Sequence, residues 1–138
     1  MNLQQLRYVA EHSSRALPFH LKLSALWAGQ EGSLLLWSTL QTMVAALVVA
    51  RPSTDSRPLL PWAALLLSTL ALFFVAASWL TASPFREMDT VLRDGQGLNP
   101  LLRHLAMVLH PPALYLGYVG LSVPFAFALA GLLSEHVG

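Results

Sequence analysis

The 138-residue sequence contains no cysteine. That excludes disulfides and thiolate metal sites, so any metal or redox chemistry has to rest on its five histidines, its carboxylates or a cofactor. Charge is also scarce: 11% of the residues are Asp, Glu, Lys or Arg, where ordinary soluble domains carry about 25%. The formal net charge of +1 comes without a basic run, an aromatic stacking platform or a Gly-rich phosphate loop, which leaves nucleic acid and nucleotides without a footprint. No nucleophile elbow, HExxH or supported Ser/His/Asp spacing occurs, so self-contained hydrolysis is not indicated. Internal repeats, low-complexity tracts and a soluble domain of useful size are missing too.

What remains is apolar. Hydrophobic residues make up 55% of the chain, and charged ones avoid three windows: Ser33 to Ala50, Leu59 to Ala82, and His104 to Ser134. Each is close to or longer than the ~20 residues a helix needs to cross a bilayer. In lipid the backbone must satisfy its own hydrogen bonds, so uniformly apolar windows read as helices, since barrel strands would alternate. The expected fold is an all-α integral membrane segment. It divides into a polar segment over 1–32, a transmembrane helix over 33–50, a short loop over 51–58 and a second transmembrane helix over 59–82. A structured loop with an amphipathic interfacial helix follows over 83–112, then a third transmembrane helix over 113–133 and a tail over 134–138. The start, MNLQQLRYVAEHSS, has no basic n-region, apolar h-region or cleavage site, so no signal peptide is expected. Three helices with polar residues facing one another make a thin bundle, which suggests part of a larger polytopic assembly.

The loop over 51–58 has two prolines and an aspartate and should join antiparallel neighbours. The loop after the second span contains SPF, DGQG and LNP, which are turn signals. Basic residues number three before the first span (Arg7, Arg15, Lys22), two in the short loop (Arg51, Arg57) and three in the long one (Arg86, Arg93, Arg103). Counts so even leave the orientation undecided.

The stretch VLHPPALYLGYVG, from Val108 to Gly120, is the most informative. In the overlapping window Leu98 to His110, Leu101, Leu102, Leu105, Val108 and Leu109 fall on one helical face and Asn99, Arg103, Met107 and His110 on another, an amphipathic pattern suited to the interface. Pro111 and Pro112 cannot donate backbone hydrogen bonds and push the preceding residue from helical dihedrals, so a helix start or sharp kink is expected there. His110 would then lie near one membrane face. Beyond it, Ala113, Gly117, Gly120, Pro124, Ala128 and Gly131 recur at steps of three and four, forming a strip of small residues headed by His110. Such a strip admits either another helix or a flat cofactor. For His110 itself, an ionisable group at membrane depth points to a metal ligand or a proton relay, against a capping or structural hydrogen bond.

Other polar residues have simpler readings. In GQEGS, Gly29 to Ser33, Glu31 suits the first turn of a helix, where the dipole favours a carboxylate, while Gly29 and Gly32 could serve close backbone approach. His12, His20 and His136 read as solvated or interfacial. His104 lies six residues before His110, off the spacing of a two-histidine site. Trp27, Trp37, Trp62 and Trp79 fall near span ends, where an aromatic belt is expected.

The segments YVAEHSS (Tyr8 to Ser14), ALWAGQEGSLLLW (Ala25 to Trp37), SPF (Ser83 to Phe85) and LNPLLRHLAMVLHPPALYLGYVGLSVPFAFALAGLL (Leu98 to Leu133), in this order, resemble the CcmF family. These are the membrane haem lyases of the bacterial multi-component cytochrome c maturation pathway, and relatives serve nitrite reductase maturation. The resemblance implies a multi-pass protein of the bacterial inner membrane that binds b-type haem and acts in haem transfer. It implies attachment of haem vinyl groups to the thiols of CxxCH in apocytochrome c. Implied partners are the remaining CcmF segments, a CcmE-like haem chaperone, a CcmH-like apocytochrome-handling subunit and apocytochrome c. The histidine of the HPP motif, here His110, would be one axial haem ligand, with Ala113, Gly117 and Gly120 giving the porphyrin or a neighbouring helix room. Family members are several times longer, and their tryptophan-rich WWD segment, partner transmembrane histidine and two periplasmic histidines have no counterpart in these residues. Gln30 replaces the histidine often found before EGS. By the same resemblance the amino-terminal segment and the loop from Ser83 to Pro100 face the periplasm, and the 51–58 loop the cytoplasm. A transport component with His110 as proton relay, or a structural membrane subunit, are the competing readings.

Overall fold

The computed structural model describes residues 5–89 and 93–134. In chain order these form α1 (Arg7–His12), α2 (Phe19–Ser24), a 3-10 turn (Ala25–Trp27), α3 (Gln30–Ala50), α4 (Leu60–Leu80), a second 3-10 turn (Pro100–Arg103) and α5 (Leu105–Leu133). Among the described residues there is no strand, only an isolated antiparallel bridge between Leu6 and Glu87. α3, α4 and α5 are each long and apolar enough to cross a membrane. At 1.5 Å per residue the 21 residues of α3 and of α4 reach about 31 Å, the thickness of the hydrocarbon core.

Local chemistry explains most of the boundaries. Gly29, in extended conformation, caps α3, and Glu31 lies in its first turn, where its charge meets the positive end of the dipole. The span therefore starts at Gln30, three residues before the expected 33. Pro52 forces Arg51 out of helical dihedrals and ends α3, and Pro61 sits in the first turn of α4, where its missing N–H costs nothing.

The three spans pack through small side chains. Ala45 of α3, Ala63 and Leu67 of α4, and Ala126 and Ala130 of α5 form one buried cluster, bordered by Val48, Leu59, Leu66 and Phe127. Alanines let helix backbones approach closely where lipid removes the hydrophobic drive to associate. Nearer the other end, Trp37 of α3 stacks on Phe74 of α4 at 4.5 Å and meets Tyr115 and Tyr118 of α5 at 5.2 and 5.7 Å. Trp37 is thus the aromatic joint of all three spans, where an interfacial belt residue was expected.

One polar pair crosses the bundle. Gln41, 1% exposed, donates its Nε2–H to Ser122 Oγ at 3.2 Å, and that hydroxyl donates to the Val119 carbonyl. Ser122→Ala should lower stability by about 0.6 kcal/mol, the mean measured for such bonds between membrane helices. Adding Gln41→Leu should recover part of it, because no amide is then left without its acceptor. Thermal unfolding of the two variants checks this.

The amino-terminal segment and the loop after α4 form a cap on one end of the bundle. Arg7 N–H donates to the Arg86 carbonyl, Met88 N–H to Gln5, Gln96 N–H to Ala10 and Gly97 N–H to Ser13. Leu17, Leu21, Ala25 and Leu98 form its core, joined by Ala28, Leu102 and Val108. The segment before α3, read from composition as polar, is thus mostly helix folded over an apolar centre of its own.

The main departure from expectation is at α5. No separate interfacial helix exists among the described residues: the chain makes one 3-10 turn, breaks at His104 and runs as a single helix from Leu105, with Pro111, Pro112 and Pro124 inside it. The boundary expected at 113 moves to 105. His104 supplies the break, with extended dihedrals and Nδ1 accepting from the Ala106 N–H at 3.2 Å, as an N-cap does.

Candidate functional site

α5 has two faces. Val119, Ala126 and Ala130 are buried against α3 and α4. His110, Ala113, Gly117, Gly120, Pro124 and Ala128 are all exposed. With 100° per residue, the exposed set clusters roughly 150° from the buried one, so the helix turns the small-residue strip away from its own bundle. A Cβ added at Gly117 or Gly120 would meet nothing within 4 Å. Among the described residues the strip packs on no other helix, so either occupant expected from sequence, another helix or a flat cofactor, would come from outside them. His110 heads the strip in the second turn of α5, about 8 Å along the helix from its start.

The face presents one exposed imidazole and open space over Gly117 and Gly120. Among the described residues no three His, Asp or Glu side chains come together as a metal site. His104 is occupied as the cap of α5. His20 is exposed on α2, and His136 lies outside the described residues.

Pro112 removes the N–H that would reach the Val108 carbonyl four residues back. That carbonyl instead accepts from Trp27 Nε1 at 3.1 Å. Trp27, expected in an aromatic belt, is therefore tied to the HPP turn from 81 residues away. The available signal was the missing donor itself: a proline inside an apolar span calls for a donor from elsewhere.

The GQEGS segment meets the cap. The Tyr8 hydroxyl donates to the Ala25 carbonyl at 2.9 Å, lies 3.2 Å from the Leu26 carbonyl and accepts from the Gly29 N–H at 3.0 Å. Burial pushes its phenol pKa up, so it remains a neutral donor. His12 stacks on the Tyr8 ring at 4.4 Å, and its Nδ1 donates to the Tyr8 carbonyl at 3.0 Å. It is half-buried and hydrogen-bonded within the cap, where a solvated or interfacial histidine was expected. A Cβ at Gly32 would overlap the Leu26 carbonyl oxygen and the Tyr8 hydroxyl, and one at Gly29 would press on the His12 ring. The glycines thus serve close approach, but of the cap. Beside them Arg7, Glu11, Glu31 and Arg86 line a cavity of about 40 Å³, room for about one water and no organic ligand. Glu11 pairs with Arg7 at 2.7 Å.

At the cap's outer edge the Asp94 carboxylate accepts from the Arg15 N–H at 2.9 Å and the Gly95 N–H at 2.8 Å. These two bonds, the Arg15 one foremost, hold its pKa below the usual carboxylate range. A depressed carboxylate contributes stability above its unfolded pKa, about 3.9, and loses it as pH falls through the folded value. Hydrogen exchange at the Arg15 and Gly95 amides should therefore accelerate below about pH 4 beyond its intrinsic trend, and in Asp94→Asn the acid-dependent part should vanish.

The sequence profile of the family described as "Cytochrome C assembly protein" matches residues 27–137. The chain belongs to that family. The match takes in α3, α4 and α5, the cap loop and the HPP turn. With three apolar helices, this member of the cytochrome c assembly family is a multi-pass membrane protein. It is 43% identical over 130 residues to the probable cytochrome c-type biogenesis protein NrfE of Escherichia coli (strain K12), covering 91% of this chain and 23% of that protein. Similarity to the cytochrome c-type biogenesis protein CcmF is 40% over 135 residues in Pseudomonas aeruginosa and 39% over 131 residues in Pseudomonas fluorescens. Each of those alignments covers 94% of this chain and 20% of the relative. The chain thus spans about a fifth of the length of the relatives it matches. No solved structure matches it significantly.

Proposed function

We infer that this assembly-family chain is part of a CcmF-like haem lyase of the bacterial inner membrane, acting in haem transfer and covalent attachment to apocytochrome c. His110 would supply one nitrogen ligand to the iron of a b-type haem, and Ala113, Gly117 and Gly120 would leave the ring room to lie against α5. The observation that carries the reading is the outward strip: an exposed imidazole heads a helix face with no side chains at two of its positions, in the family of cytochrome c assembly proteins. The donor chemistry fits, because neutral imidazole is a common iron ligand in haem proteins. By the CcmF resemblance, the second ligand would come from another segment.

When bound, the b-type haem supplies redox chemistry. This chain's residues hold the imidazole outward, keep the strip flat and anchor the HPP turn to the cap. The cap, formed by the amino-terminal segment and described residues of the Ser83 to Pro100 loop, lies at the same end of the bundle as His110 and would face the periplasm, and the 51–58 loop the cytoplasm. A CcmE-like chaperone, a CcmH-like subunit and apocytochrome c are the partners this reading implies. The test is the visible spectrum of the purified complex containing the chain. His110→Ala should abolish or shift the b-type Soret band, and a retained, unshifted band overturns the assignment. Altered substrate flux without haem would point to transport.

A further inference from the structure

We propose that Trp27 is the positioning residue for His110: its indole N–H replaces the backbone donor that Pro112 lacks and sets the direction in which the HPP turn faces. Pro112 frees the Val108 carbonyl, half-buried where α5 meets the cap core, and a buried carbonyl left unsatisfied is costly. Of the hydrogen bonds that join α5 to another element, the one from Trp27 Nε1 at 3.1 Å ends on that carbonyl. The side chain of the same residue, Val108, packs into the cap core beside Ala28, Leu98 and Leu102. Val108 is therefore held twice, through its carbonyl and through its methyl groups.

Two residues on, the helix has turned by 200°. With Val108 held toward the cap, His110 is directed outward onto the small-residue strip, which is where it lies. Pro112 then has a purpose although α5 runs through it unbroken. By removing the local donor, Pro112 hands control of this turn to the indole that precedes α3. Trp27 itself sits at the end of a 3-10 turn whose Ala25 and Leu26 carbonyls face the Tyr8 hydroxyl, so the support reaches from α1 to His110.

The haem consequence rests on the ligand reading given above, but the positioning does not, and the experiment separates them. Because the chain has no cysteine, spin labels can be placed at Leu105→Cys in the first turn of α5 and at Leu72→Cys on α4, both exposed positions. Distances are measured between them in the purified complex. Trp27→Phe keeps the ring and deletes the N–H. It should raise the population of displaced α5 starts roughly fivefold, the factor an ordinary hydrogen bond carries. Pro112→Ala restores the local donor, so Trp27→Phe in that background should change the distribution little. An unchanged distribution in Trp27→Phe, or an equal change in both backgrounds, overturns the proposal. If Trp27→Phe does not accumulate, Trp27→Phe/Pro112→Ala should restore it, and failure to do so overturns it as well. A shift of the haem midpoint potential in Trp27→Phe that Pro112→Ala reverses ties the positioning to ligation. A displaced α5 start with an unmoved potential removes His110 as ligand while leaving the Trp27 support in place.

Discussion

Gly32→Ala is expected to destabilise the protein by about 3 kcal/mol, roughly a hundredfold in the folded-to-unfolded ratio, through one added methyl group. Overpacking is cheap when the obstacle is the tip of a flexible side chain. Here the methyl would overlap the Leu26 carbonyl oxygen, part of a backbone already wound into the turn Ala25–Trp27, and the Tyr8 hydroxyl, which is fixed to Ala25 and Gly29. Neither can give way without breaking a hydrogen bond or lifting the cap from α3. Thermal unfolding in detergent reads the loss directly. Tyr8→Phe removes the hydroxyl but leaves the ring carbon that bore it 2.7 Å from the added methyl, so it should rescue Gly32→Ala only in part. Complete rescue would show that the Leu26 carbonyl is not the barrier, and an unchanged melting temperature in Gly32→Ala alone would sink the argument.

Gly117→Leu should do the reverse: leave the fold intact and remove the function. Nothing lies within 4 Å of a Cβ at this position, so the side chain enters open space, and helix propensity favours leucine over glycine by up to ~1 kcal/mol. The melting temperature should hold or rise slightly. If the strip seats a haem ring beside His110, a leucine standing on it fills the approach. Haem occupancy of the purified complex should then fall at least roughly tenfold, a penalty of about 1.4 kcal/mol, within the ordinary cost of overpacking. Full occupancy with an unshifted Soret band would mean that this face is not where the ring lies. A collapse of stability would mean that the strip packs on a protein element outside the chain. The pair Gly32 and Gly117 thus separates a glycine that closes the fold from one that opens a surface.

The spans were legible because lipid leaves the backbone few options. A window without charges must satisfy its own hydrogen bonds, and α3 and α4 begin and end within a few residues of where charge, glycine and proline place them. Glu31 in a first turn, the stop at Pro52 and the start at Pro61 are likewise local effects. His110 stood out for the same reason, as a titratable ring at membrane depth.

What stayed hidden depends on groups far apart in the chain. Two adjacent prolines argue for a break, and locally that argument is right, but α5 passes through them because Trp27 satisfies the Val108 carbonyl and His104 caps the helix earlier. The roles of Gly29 and Gly32 were ambiguous until Tyr8 and His12 were folded over them. The strip from Ala113 to Ala128 could by spacing have been the inner face of the bundle. It lies outside because Val119, Ala126, Ala130 and Ser122 on the other side fit against α3 and α4.

The sequence by itself determined that this is a three-span helical membrane segment with a histidine at the head of a small-residue strip, because composition and helical period act residue by residue. Only the tertiary structure decided which way that strip faces and what holds its histidine there. Rotation of a helix about its axis is set by the side chains of its neighbours, and the donor for a proline-freed carbonyl can come from any distance along the chain.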